Sequence, residues 1–118
     1  MREILSWAIS LFFAAFLSLI ISSNNLSFFN LPPKEFRGLP FWAWNTEITS
    51  EKVIKQVEVF KQMGFGGFVI HVRHGLRDEY MGDKFFERVT QAIEEAKKHD
   101  LIVWLYDEDR WPSGSAGG

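Results

Sequence analysis

The run Tyr106-Asp107-Glu108-Asp109-Arg110-Trp111 places three acids, a guanidinium and an indole directly after the apolar stretch Leu101 to Tyr106. Carboxylates and arginine bind hydroxyl groups, and a tryptophan face packs against C–H groups, so this mixture suits a sugar. At the C-terminal end of a buried strand it would lie where (β/α) barrels hold their ligands. Two other clusters have the same character: Trp42, Trp44 and Asn45 after one apolar stretch, and His71, Arg73 and His74 after another.

Spacing limits what these groups do. Strand alternation sends Asp107 and Asp109 to one side and Glu108 to the other, and one of the acids is expected to cap or to pair with Arg110. Glycoside hydrolysis needs two carboxylates about 5 to 9.5 Å apart on opposite sides of the scissile bond. Neighbouring acids on one loop do not supply that. His71-x-x-His74 has no third ligand to complete a metal site, so no metal is assigned. The sequence contains no cysteine, which excludes disulfides, thiolate-bound zinc and a cysteine nucleophile. A formal net charge of −2 provides no basic field for nucleic acid.

The elements that position the three clusters follow from periodicity. Phe41 to Asn45 reads as a short aromatic strand, with Trp42 and Trp44 on one side of it. Thr49 or Ser50 caps a helix whose apolar positions are Val53, Val57, Phe60 and Met63, and Gly64 ends it. Phe68 to Val72 is apolar on both faces, as in a buried parallel sheet. Asp83 is expected to cap a second helix with a stripe of Phe86, Val89 and Ile93, flanked by Phe85, Ala92 and Ala96. Leu101 to Tyr106 is the third strand. The expected class is α/β, in the order β-α-β-α-β, with parallel strands and right-handed crossovers. No G-x-G-x-x-G follows the first strand, which favours a partial (β/α)8 TIM barrel over a nucleotide-binding sheet. An eight-unit barrel takes roughly 250 residues, and this sequence supplies two and a half units.

No charged residue occurs from Ile4 to Pro33. The run Ile4 to Ile21 exceeds an ordinary signal-peptide core and approaches the length that spans a bilayer. Residues 1–23 are therefore expected to be a hydrophobic helix, either a signal peptide or a membrane anchor. Residues 24–38, rich in Ser, Asn and Pro, read as a linker, and 39–118 as the barrel portion. Either form of the leading segment places the remainder outside the cytoplasm.

Pro40-Phe41-Trp42-Ala43-Trp44-Asn45, Gly64-Phe65-Gly66-Gly67-Phe68-Val69-Ile70-His71, Val103 to Asp109 and Trp111-Pro112-Ser113-Gly114 together resemble the start of the barrel domain of glycoside hydrolase family 106. Characterised members of that family are α-L-rhamnosidases. The resemblance covers roughly residues 38 to 118. It implies an exported enzyme acting on polysaccharide or oligosaccharide, with catalytic glutamates later in the barrel and calcium in the full-length family. It implies no cofactor within this chain. The positions it transfers are Trp44, Asn45, His71, Asp107, Glu108 and Trp111, as the wall of a carbohydrate subsite. The 118-residue chain alone is expected to be inactive. Two other readings fit the same residues: a membrane-anchored carbohydrate-binding module stacking sugars on Trp42, Trp44 and Trp111, and a truncated reading frame without independent function.

Overall fold

The computed structural model describes residues 13–18 and 28–110. The chain divides into two units, Met1–Pro33 and Lys34–Gly118. In the first, residues 13–18 and 28–30 are helical, and Phe28 and Phe29 meet edge to face at 6.0 Å. No helix among the described residues is long and apolar enough to cross a membrane. Apart from 13–18, the expected export segment 1–23 lies outside the described residues. So do Trp111 and the glycine-rich stretch after it.

The second unit opens with a single 3-10 turn at Lys34–Phe36. It continues as β1 (Phe41–Trp44), α1 (Ser50–Gln62), β2 (Gly67–Val72), α2 (Asp83–Lys98) and β3 (Ile102–Asp109). The three strands form one parallel sheet in the order β1-β2-β3. The β-α-β-α-β expectation therefore holds as a three-stranded parallel α/β unit.

Both helices close in the same way, for the same reason. At the end of α1 the chain turns through Gly64 at φ 79°, a conformation that glycine adopts without steric cost. The Gly64 N–H donates to Lys61 O and the Phe65 N–H to Phe60 O, which satisfies carbonyls the helix leaves open. Phe65 then packs on Phe60, with ring centroids 6.2 Å apart. At the end of α2 the corresponding turn is Asp100, at φ 54°, with Asp100 N–H to Lys97 O and Leu101 N–H to Ala96 O. Asp100 also pairs with Lys34.

At the start of α1, Thr49 is the cap, and its hydroxyl accepts from the Lys52 N–H at 3.3 Å. The start of α2 differs from expectation. Gly82 occupies the cap without a side-chain bond, and Asp83 is the first helical residue. An acid there still faces the positive helix end, which accounts for its presence without capping.

The helix-facing side of the sheet is the core. Trp44, Val53, Val57, Phe60, Phe68, Ile70, Val72, Phe85, Val89, Ala92, Ala96 and Leu101 are buried together. The α2 stripe is Phe85, Val89, Ala92 and Ala96, with Phe86 43% exposed. This corrects the expected stripe centred on Phe86, Val89 and Ile93 by a rotation of about one residue. The shift arises because Phe85 is needed against Trp44, at a centroid distance of 5.7 Å. Arg88 ties α2 to the start of α1: its Nε donates to Ile48 O at 3.1 Å and its guanidinium to Ser50 Oγ at 2.9 Å.

Candidate functional site

Parallel partners share a face, so the register sorts the strand residues. Phe41, Val69 and Trp104 form one row, and Trp42, Ile70 and Leu105 the next, on the opposite face. The first row and its continuation through Ala43 and His71 lie on the side without helices. Between Leu105 and Asp109, β3 advances four residues while β2 advances two, from Ile70 to Val72. Two extra residues preserve the alternation. Tyr106 and Glu108 therefore lie with His71, and Asp109 with Val72 on the core side.

On the helix-free face an open recess of about 590 Å³ is lined by Phe41, Ala43, Asn45, His71, Arg73 and Tyr106. It sits toward the C-terminal ends of the strands. Backbone bonds draw the two loops at its rim together: the Arg73 N–H donates to Trp44 O at 3.0 Å, and Gly75, at φ 105°, lies against Asn45 O. A Cβ at Gly75 would stand 2.4 Å from that oxygen. Only glycine allows the loop after β2 to approach the end of β1 so closely.

Three rings build one wall. His71 and Tyr106 have centroids 4.5 Å apart, and Phe41 stands edge-on to both at 5.3 and 5.7 Å. Glu108 follows Tyr106 by two residues and shares its face of β3. Glu108 Oε2 and His71 Nε2 are both buried without a hydrogen-bond partner. Burial, reinforced by the Arg73 guanidinium and opposed by Glu108, lowers the proton affinity of His71 below its ordinary value. The imidazole is thus neutral at pH 7, one nitrogen donating and the other accepting. Burial, then the charge of Glu108, push the Tyr106 hydroxyl up, so it keeps its proton. Burial, with the charges of Asp109, Asp107 and Glu108, does the same to Tyr80.

The six transferred positions separate in space. Asn45 and His71 line the recess. Glu108 shares the face of Tyr106 on β3 but lies outside the lining. Asp107 is exposed and outside the lining. Trp111 lies outside the described residues. Trp44 does not face ligand at all: it is fully buried on the core side, edge to face with Trp42 at 5.5 Å. Its place in the subsite wall is corrected accordingly. Trp42 packs on Phe60 and Phe68 at 5.6 and 5.3 Å, so the pair does not form a stacking platform. Of the acids, Asp109 is the one that pairs with Arg110, at 3.2 Å.

Residue types alone do not single out Phe41, Ala43 and Tyr106, and Arg73 stands out only as a neighbour of His71. The signal was available in the alternation: if His71 faces the ligand, Val69 and Arg73 share its side. Among the described residues no group of three or more His, Asp or Glu side chains converges to hold a metal ion. Among the described residues the recess lining contains no carboxylate. Its amide, imidazole, guanidinium and phenol groups can hydrogen-bond hydroxyls, beside the apolar surface of Phe41 and Ala43. Comparison with family models, with curated proteins and with solved structures finds no match.

Proposed function

We propose that Lys34–Gly118 is the opening part of a (β/α)-barrel glycoside hydrolase similar to family 106, and that its recess is one wall of a carbohydrate subsite. The observation that carries this reading is the convergence of Asn45, His71, Arg73 and Tyr106 at the C-terminal ends of three parallel strands. Parallel sheets are covered on both faces, and here the helices α1 and α2 pack on one face only. Strands in sequential order with helices on one side also begin half of a doubly wound sheet. The bare face argues for the barrel. It carries neutral imidazole, phenol and amide groups beside aromatic rings, a lining suited to a ligand rather than to a second layer of helices. The apolar run of residues 4–21 supports an exported or membrane-anchored location.

Isothermal titration of the chain with a panel of methyl glycosides, including methyl α-L-rhamnoside, tests the binding function. Saturable binding that perturbs the NMR signals of His71 and Tyr106 is expected. Absence of binding, or perturbation confined to other residues, overturns it. With aryl rhamnosides, turnover by the 118-residue chain no greater than that of its Glu108→Ala variant is expected.

A second reading, a carbohydrate-binding module, rests on Phe41 and Trp104, which are 61% and 63% exposed on the bare face. In that case Trp104→Ala weakens sugar binding more than Tyr106→Phe does. In the subsite reading the order is reversed.

A further inference from the structure

Arg73 brings a positive charge to a recess whose lining, among the described residues, holds no carboxylate to neutralise it. Other arginines have an acid at hand: Arg77 meets Glu47 at 4.0 Å, Arg88 meets Glu87 at 2.9 Å and Arg110 meets Asp109 at 3.2 Å. Among the described residues no carboxylate forms an ion pair with Arg73. Its side chain is exposed at the rim, yet its backbone is fixed, because its N–H donates to Trp44 O at 3.0 Å. Asp107 and Glu108 on β3 lie outside the lining. At His71 the charge of Arg73 outweighs that of Glu108. An anion is therefore favoured locally, although the chain as a whole carries a formal charge of −2.

We propose that the recess selects a carboxylated sugar, a uronic acid, whose carboxylate pairs with the Arg73 guanidinium while its ring lies against Phe41 and Ala43. The inference rests on the carbohydrate reading and narrows its ligand class. A guanidinium binds a carboxylate through two parallel N–H···O bonds, a geometry that an alcohol does not match. Asn45, His71 and Tyr106 then remain for the ring hydroxyls. They supply an amide, a phenol and an imidazole that is 9% exposed with its Nε2 unpartnered. None of the three is negatively charged, so the carboxylate meets no repulsion from the lining.

Titration calorimetry on matched pairs tests this: methyl α-D-galacturonoside against methyl α-D-galactoside, and the corresponding glucuronoside against the glucoside. Within each pair the ligands differ only in whether the exocyclic carbon is a carboxylate or a hydroxymethyl group. In the pair that binds better, the acidic sugar is expected to bind about five- to tenfold more tightly, the scale of one hydrogen bond to a charged group. Arg73→Gln removes the charge from an exposed side chain and should bring that ratio close to one. Arg77→Gln removes an equal charge outside the lining and should leave the ratio as it is. Acetate, which carries the carboxylate without the ring, should not saturate in the same concentration range. Equal binding within both pairs overturns the inference and leaves the carbohydrate reading standing. So does a ratio untouched by Arg73→Gln or lowered as much by Arg77→Gln, and so does acetate binding as tightly as the acidic sugar. A chain that binds no glycoside, acidic or neutral, overturns both.

Discussion

His71 and Tyr106 stand on neighbouring strands with ring centroids 4.5 Å apart, which sets an imidazole beside a phenol on the bare side of the sheet. The imidazole is held between a phenol and the edge of Phe41, which removes water from it. Its proton affinity falls for that reason first, and because of Arg73 second.

The lowered affinity of His71 has a consequence for stability. The unfolded chain binds a proton at the ordinary value of 6.5, and the folded chain only at lower pH. Between those two values the unfolded state holds more protons, so stability rises with pH across the window and is lost as pH falls through it. Thermal midpoints of the native chain should therefore decline on acidification just below pH 6.5, before the carboxylates of Glu95 and Asp100 titrate. Those two acids have lowered proton affinities, through Lys98 and Lys34 respectively, and their contributions vanish at lower pH. In His71→Gln the first decline should disappear and the second remain. Melting curves followed by circular dichroism across pH 3 to 8 separate them; an unchanged first decline in the variant would exclude His71 as its source.

Trp44 and Trp104 should respond oppositely to truncation. Trp44 is fully buried against Trp42 and Phe85, and Trp44→Ala should cost about 3–5 kcal/mol, the range for large aromatic truncations in a core. Trp104 is 63% exposed, and Trp104→Ala should change stability by no more than about 0.5 kcal/mol. Urea denaturation of both variants measures the difference. A comparable loss at the two positions would contradict the assignment of faces.

That assignment marks the boundary of what sequence reveals here. Element type and order were legible because each element has a clear period: alternation in β1, a helical stripe in α1, a continuous apolar run in β2. Gly64 marked the end of α1 because its φ of 79° suits glycine. The end of α2 has the same geometry on Asp100, which carries no such signature. The extension of β3 to Asp109 was hidden because acids rarely continue a strand, and the two-residue slip against β2 that accommodates them depends on a partner strand. The site was half legible. His71 and Asn45 declare themselves by type, whereas Tyr106 and Phe41 look like ordinary strand residues until the register places them beside His71. Trp44 misled for the converse reason: its chemistry suits sugars, but its parity points it into the core.

Glycine substitutions separate backbone conformation from close packing. A Cβ on Gly64 would meet nothing within 4 Å, so Gly64→Ala should cost only the left-handed backbone penalty of about 1–2 kcal/mol. At Gly67 a Cβ would lie 2.0 Å from Ile102 O, where β2 and β3 first pair. Gly67→Ala must displace the start of β3 and should destabilise more than Gly64→Ala. Equal midpoint shifts in thermal denaturation would show that the β2–β3 junction yields freely.

The sheet edges give the last prediction. Among the described residues β1 and β3 each pair on one side only, and β3 carries Trp104 and Leu105, 63% and 47% exposed, one on each face. An edge strand with open N–H and C=O groups and apolar side chains recruits another strand unless charge or curvature protects it. From Ile102 to Tyr106 no charged residue interrupts β3; protection begins only at Asp107. The chain should therefore self-associate with rising concentration, and the association should be relieved by Trp104→Lys, which places a charge on the bare face without touching the core. Static light scattering across a concentration series reads the effect directly. A concentration-independent monomer mass would show that the edge is already covered, and an association unaffected by Trp104→Lys would move its origin away from the bare face of β3.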